Sequence, residues 1–319
     1  MKKISFVIRV KNEVRDICKT IESIKKQKIN GYMLEIIIVD NMSDDDTVNA
    51  VLHSVDKVIY ISNEEFSWGR AINRGIANSD GQYVVLISGH CILKNENTLK
   101  DSIELMQVNS INVLYGKQVG DEEKDKMECI ELIDRCPDNS ILPFEKDSKG
   151  IGISNAACIF ERKIWDSNKF NEILQSAEDA EWFNRIRKKG FRCGYSSKFE
   201  IQHGHYFNAE YIYKKWFWRT KIVDRMRNAN LIKLLSTKSF MLIKILLITF
   251  KYYRKNRYLE KRIRIQSIFY YAIVMELPRY KARKELNKSE ECKYEEIIIP
   301  KIIYDLGEKI KKYEKYTFD

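Results

Sequence analysis

Residues 86–92 read LISGHCI, an apolar run that opens through Ser88 and Gly89 onto His90, one of four histidines in 319 residues. Two others, His203 and His205, stand in IQHGHYFN (201–208). They are two apart, so on a strand or extended turn they face the same side. Imidazoles drawn from separate segments suit a divalent cation or direct contact with an anionic ligand, and the plainer alternative is ordinary polar residues at strand ends. A second candidate set is SAEDAEW (176–182), which puts the carboxylates of Glu178 and Asp179 at a helix start. A carboxylate held there can take the proton of a hydroxyl whose oxygen is attacking. A plainer job fits the same residues, because Ser176 and Asp179 have the spacing of an approximate capping box. Cys91 beside His90 does not make a nucleophilic pair, since strand neighbours face opposite ways.

The elements that must position these groups are legible in the first hundred residues. ISFVIRV (4–10), LEIIIVD (34–40), KVIYIS (57–62) and YVVLIS (83–88) are β-rich apolar runs without strict alternation. Between them come Val14, Ile17, Cys18, Ile21 and Ile24 at helical spacing, and the helical segment WGRAINRGIA (68–77). A further helix is expected after the start signal SDDDT (43–47), carried by Val48, Val51 and Leu52. This alternation predicts an α/β fold whose mainly parallel sheet is covered on both faces. Ligands bind such sheets at the carboxyl ends of the strands, where Asp40 and His90 both fall. Further on, the pattern predicts a strand at 112–119, an acidic linker-like stretch at 120–148 and a strand at 153–161. A helix follows from about 178, and the chain after 206 is helical and aromatic.

Charge narrows the partners. The net charge is +11, and residues 231–290 alone hold 15 Lys and Arg against 4 Glu and no Asp. The rest of the chain is therefore neutral in sum, and the basic segment calls for a localised anionic partner. No helix-turn-helix, RNP or zinc pattern accompanies it, which argues against nucleic acid. The run LIKLLSTKSFMLIKILLITF (231–250) is interrupted by Lys233, Lys238 and Lys244. Those charges disfavour a spanning helix and favour an amphipathic one at an anionic membrane surface. RYLEKRIRIQSIFYYAIVMEL (257–277) repeats the basic and aromatic mixture. The plain alternative is a helical domain with solvated charged faces. Seven scattered cysteines without a C-x-x-C pair suggest reduced thiols in a cytoplasmic setting. The apolar start of MKKISFVIRVKNE is too short for a signal peptide. Phosphate-loop, nucleophile-elbow and dinucleotide fingerprints are all missing.

The ordered series VIRVKNE (7–13), IIIVDNMSDDDT (36–47), FSWGRAINRGIANSDGQYVVLISGHC (66–91), SNAACIFERKIW (154–165), SAEDAEWFNRIRKKGF (176–191) and IQHGHYFN resembles glycosyltransferase family 2. These are inverting enzymes of GT-A fold, and the likeness is to bacterial rhamnosyltransferase-like members. It covers about residues 1–225, and its specificity lies in the number and order of the motifs. The resemblance implies a Rossmann-like GT-A nucleotide-sugar domain over 1–225 and a helical, basic extension over 226–319. It also implies a nucleotide-diphosphate-sugar donor, a divalent cation (Mn²⁺ or Mg²⁺), and displacement with inversion at the anomeric carbon.

By that resemblance Arg9, Lys11, Asn12 and Glu13 hold the nucleotide, and Asp40 meets the base or ribose. Gly69, Arg70 and Asn73 lie near the donor phosphates or sugar. Asp179 is the expected base, with Glu178 second. Asn155 and Trp182 are expected on the acceptor side, although Trp182 shares a helical face with Phe183 and Ile186 that suits core packing. Where the family carries Asp-x-Asp, this chain has Ser88-Gly89-His90, so both carboxylates are missing. His203 and His205, in the family's later H-x-H segment, are then the companion metal ligands of His90. A metal-independent enzyme would instead neutralise the diphosphate with Arg70, Lys11 and histidine. The expected acceptor is a glycan or lipid-linked oligosaccharide used in surface polysaccharide synthesis, with the enzyme peripheral at the inner face of the cell membrane. The competing expectation is a catalytically inactive nucleotide- or glycan-binding protein of the same fold.

Overall fold

The computed structural model describes residues 2–145, 151–224, 237–285 and 299–314. The expected alternation is present as β1 (Lys2–Val10), α1 (Ile17–Lys25), β2 (Tyr32–Asp40), β3 (Lys57–Tyr60), α2 (Trp68–Ala77) and β4 (Tyr83–Ser88). There follow β5 (Cys91–Leu93), α3 (Thr98–Val108), β6 (Val113–Gly120), α4 (Lys126–Arg135), β7 (Ala157–Glu161), α5 (Arg162–Ser167), α6 (Glu178–Lys188) and β8 (Cys193–His203). The described C-terminal part is helical: α7 (Ala209–Asp224), α8 (Lys238–Lys255), α9 (Ile265–Glu285) and α10 (Lys301–Glu314). Residues 231–236 and 286–290 of the basic segment, the expected domain boundary at 225/226, and Cys292 lie outside the described residues.

All eight strands form one sheet in the order β3-β2-β1-β4-β7-β6-β8-β5. β3, β2, β1 and β4 run parallel, as do β6 and β8, while β7 and β5 run against their neighbours. The sheet is thus mainly parallel, as expected. The missing alternation has a simple cause. Ile4, Phe6, Ile8, Ile36, Ile38, Val85 and Ile87 fill one core, and Val7, Val39, Val84 and Leu86 fill another. Successive strand residues point to opposite faces, and here both faces are covered, so both alternating sets of positions are mostly apolar.

Two compact units make up the chain: Met1–Gly120, Leu132–Leu174 and Glu178–Gly204 form the first, and Asp121–Glu131, Gln175–Ala177 and His205–Asp319 the second. The last of these divisions, at 204/205, places α7 with the C-terminal helices. The reason is packing, because α7 lies against α9 and α10. Phe207, Tyr213, Ile268, Tyr271, Ile303 and Ile310 share a core there, together with Met127 and Ile130 of α4. The stretch read as an acidic linker thus contains a helix with apolar positions at Met127 and Ile130. Among the described residues no helix is long and apolar enough to cross a membrane. The six described cysteines are free thiols.

Candidate functional site

Strand register sets the geometry of the first unit. Arg9 lies opposite Ser88 and Val10 opposite Asp40, so β1, β2 and β4 deliver their ends to one edge. The expected helix after SDDDT does not form, because that segment is tied to the end of β1 instead. Asn12 N–H donates to Ser43 Oγ (2.9 Å), Glu13 N–H to Thr47 Oγ1 (2.6 Å) and Val14 N–H to Asp45 Oδ2 (3.2 Å). Asp44 N–H donates back to Asn12 Oδ1 (3.0 Å), with Asn12 at φ 55°. Asn tolerates that left-handed conformation well, and Ser and Asp side chains that bind nearby backbone compete with helix. Burial works to raise the Asp45 carboxyl, but the Thr47 hydroxyl and the N–H groups of Thr47 and Val14 hold it below its usual range. Asp40 is buried and accepts from both the N–H and the hydroxyl of Ser43, so it closes the same loop. Lys11 Nζ, on the exposed side, reaches Asn63 Oδ1 at 2.6 Å.

Arg9 extends to the other side of β1. Its guanidinium lies 4.8 Å from the centroid of Trp68, and Nη1 is 3.6 Å from Glu178 Oε1. Asn155 Nδ2 donates to the same Glu178 oxygen at 3.2 Å. Both Glu178 and Asn155 are buried. Burial and the neighbouring Asp179 charge push the Glu178 carboxyl above its usual range, against the pull of Arg9. Buried pairs of this kind stabilise little, but losing one member strands the other. Asp179 itself is only partly buried, and its Oδ1 accepts from Ala180 N–H at 2.7 Å at the start of α6. Ala177, just before the pair, sits at φ 61°, a left-handed conformation that costs a non-glycine residue roughly 1–2 kcal/mol.

The histidines meet because β5 turns back after Gly89-His90 and pairs Cys91 with His203. The rings of His90 and His203 have centroids 5.1 Å apart. His205 follows His203 across Gly204 alone, and one ring nitrogen from each of His90, His203 and His205 lies within 4.8 Å of the other two. His90 Nδ1 is 2.7 Å from Glu13 Oε1, and His205 Nδ1 is 2.9 Å from Glu128 Oε1. Metal-binding imidazoles characteristically give their second nitrogen to a carboxylate, which fixes tautomer and ring orientation. The three residues fit a borderline divalent cation. Mg²⁺, which wants oxygen ligands, fits poorly. Gly89 makes room for this pairing, since a Cβ there would fall 2.8 Å from Val10 Cγ1 and 3.1 Å from Glu13 Cγ.

Two of the expected site residues turn out to do other work. Asn73 spends its whole amide inside the fold. Its Oδ1 accepts from Trp165 Nε1 (2.9 Å) and Phe170 N–H (3.0 Å), and its Nδ2 donates to Phe170 O (2.9 Å) and Glu172 Oε1 (2.8 Å). It is a clamp on residues 165–172. Trp182 has no exposed surface, donates from Nε1 to Asn168 O at 2.7 Å, and stacks on Phe170. It packs the core, the job that the helical face it shares with Phe183 and Ile186 suits. Gly69 belongs to the same clamp, because a Cβ there would fall 2.2 Å from Asn171 O. Arg70 reaches Glu172 Oε2 at 3.1 Å and Glu65 O at 2.6 Å. Glu128, Glu172 and Trp68 were not foreseen as site residues. Glu128 sat in the presumed linker, where the helical spacing of Met127 and Ile130 was the available signal.

Comparison with known proteins adds an independent line. The family model described as Glycosyl transferase family 2 matches residues 5–173. The O-antigen chain rhamnosyltransferase WbaN of Salmonella anatum is 23% identical over 198 residues, which is 60% of this chain and 63% of that protein. An uncharacterized glycosyltransferase of Rickettsia felis is 26% identical over 197 residues, or 58% of this chain and 31% of that protein. The chain thus spans less than two thirds of either relative. Among solved structures, S. aureus TarS 1-349 in complex with UDP-GlcNAc has a TM-score of 0.53 at 15% identity, covering 91% of this chain and 93% of that one. That likeness is one of fold, the mixed α/β GT-A architecture with helices after it.

Proposed function

Because the chain belongs to glycosyl transferase family 2, we propose that it is an inverting glycosyltransferase acting in surface polysaccharide synthesis. It moves a sugar from a nucleotide-diphosphate donor to a hydroxyl of a glycan acceptor. The observation that carries this reading is the reach of one strand end to both halves of the chemistry. Arg9 pairs with Glu178 at 3.6 Å, and Glu13 pairs with His90 at 2.7 Å.

Asp179 is the base. It accepts the acceptor's hydroxyl proton as that oxygen forms its bond to the anomeric carbon, and the bond from that carbon to the diphosphate oxygen breaks on the opposite side. A positioned carboxylate contributes roughly 10²–10⁴-fold to such a step. Glu178, buried beside Arg9 and Asn155, anchors the start of α6 and keeps Asp179 at the acceptor side, where Asn155 also lies. His90, His203 and His205 take the diphosphate side, with Lys11 and Arg70 as further positive charge. A divalent cation held by the imidazoles would neutralise the leaving diphosphate. Asp40, Asn12, Ser88 and Gly89 shape the loops against which the nucleotide lies. The acceptor is a lipid-linked oligosaccharide met at the inner face of the cell membrane.

The test is a thermal-shift screen of UDP, GDP, dTDP and their sugars with and without Mn²⁺, followed by turnover with any donor that binds. Ligands that bind only the native state raise its melting temperature. Metal-enhanced stabilisation by one nucleoside diphosphate, with release of that diphosphate from its sugar, is the expected result. Tight nucleotide binding without turnover of any donor would assign the chain to the inactive, ligand-binding alternative.

A further inference from the structure

In the second unit, α8 turns Ile245 and Tyr252 inward, and the helix packs on α9. Its other side carries Leu242, Ile243, Leu246, Leu247, Phe250 and Tyr253, every one of them more than half exposed. At 100° per residue these six share one arc of about 140°. Surface apolar residues scattered singly are ordinary, but a continuous strip marks an interaction surface. Lys238 borders the arc on one side and Lys251 on the other, and Arg254 stands within its edge, 5.9 Å from the Phe250 ring. Lys255 and Arg257 follow at the C-terminal end, and no Asp or Glu occurs from Thr237 to Leu259.

We propose that this face of α8 docks in the plane of an anionic lipid bilayer. The six apolar side chains enter the acyl boundary while the basic rim meets the headgroup phosphates. The charge selects this occupant. A second copy of the chain would bring the same basic rim against itself, with no acid on the helix to pair it, and like charges across an interface oppose association. Lipid phosphates carry the opposite sign, and an apolar face flanked by Lys and Arg is the pattern of a helix lying in the interface. The inference concerns the second unit alone and stands whether or not the transfer reaction is as proposed.

The test is flotation of the full-length chain with vesicles of phosphatidylcholine, or phosphatidylcholine with one quarter phosphatidylglycerol, at low and high salt. The variants are Leu246→Gln with Phe250→Gln, and Lys251→Glu with Arg254→Glu, all at exposed positions. The wild type should prefer the anionic vesicles and lose that preference at high salt. The apolar pair should lower partitioning about tenfold or more. Each basic residue removed should lower it about fivefold. Melting temperatures and nucleoside-diphosphate thermal shifts should be unchanged in both variants. Equal binding to neutral vesicles, or variants that float like the wild type, would overturn the proposal. So would a dimer in sedimentation velocity that the apolar pair dissociates while vesicle binding is absent. Vesicle binding without any nucleotide shift in the wild type would count against the donor assignment and leave the docking face intact.

Discussion

Glu13 Oε1 stands 2.7 Å from Nδ1 of His90, so the end of β1 fixes the ring that replaces the family's carboxylates. Removing that support should weaken metal binding more than it changes the fold. Glu13→Gln is expected to lower affinity for Co²⁺ or Mn²⁺ about 10–100-fold, the usual effect of losing a carboxylate behind a metal-bound imidazole. Gly89→Ala should act in the same direction, because its new methyl displaces Glu13. Calorimetric titration and the visible absorption of bound Co²⁺ read both effects without any assay of activity. An unchanged affinity in Glu13→Gln would remove the support role.

The two carboxylates of α6 should separate by kinetics. Asp179→Asn is expected to lower kcat by about 10²–10⁴-fold while donor affinity stays within a few-fold. Glu178→Gln leaves Arg9 without its buried counter-charge and should alter donor affinity and stability first. The comparison needs only kcat, KM and a binding curve for each variant. A larger loss of kcat in Glu178→Gln than in Asp179→Asn would exchange the two roles.

Glu35, at the far end of β2, governs acid sensitivity of the sheet. Burial works to raise its carboxyl, but the Ser5 hydroxyl, the Asp80 N–H, Lys3 and Lys57 outweigh it, and the group is held below 4.5. A folded-state value below the unfolded one gives stability that is present above pH 4.5 and is lost as pH falls through the folded value. Glu35→Gln should therefore cost about 2 kcal/mol at pH 7, and the gap to wild type should close below pH 4.5. Urea denaturation at pH 7 and at a series of values below pH 4.5 measures both ends.

Asn73 should be a stability residue. Asn73→Ala strands Trp165 Nε1 and the Phe170 N–H inside the fold, at a cost of about 1–3 kcal/mol for each unsatisfied group. Trp182→Ala should cost about 3–5 kcal/mol through lost core volume. Denaturant midpoints check both. Donor affinity in folded Asn73→Ala should stay close to wild type; a selective loss of it would restore the donor contact.

The α/β layout was legible because the strands of the first unit are apolar on both faces and the helices between them keep their period. The helix expected after SDDDT failed for a reason that single-segment patterns hide. Its Ser, Asp and Thr side chains find partners on residues 12–14, about thirty positions earlier. His90, His203 and His205 could be singled out by rarity and spacing, but Glu13 and Glu128 could not, since both are 77 residues from the histidines they hold. Trp182 could be read two ways, and its burial agrees with the core packing that the apolar face it shares with Phe183 and Ile186 suits. Asn73 likewise looked like a ligand group because an amide that clamps a loop and one that binds a sugar have the same sequence signature.

The exchange of Asp-x-Asp for Ser88-Gly89-His90 changes the electrostatic sign of the sheet edge. Two aspartates would bring two negative charges toward a bound diphosphate, whereas imidazoles carry no negative charge. On the proposed reading, a nucleoside diphosphate product would meet less repulsion there and be held more firmly than beside a pair of carboxylates. Release of that by-product, rather than bond-making, would then limit each cycle, and accumulated nucleoside diphosphate would brake glycan output.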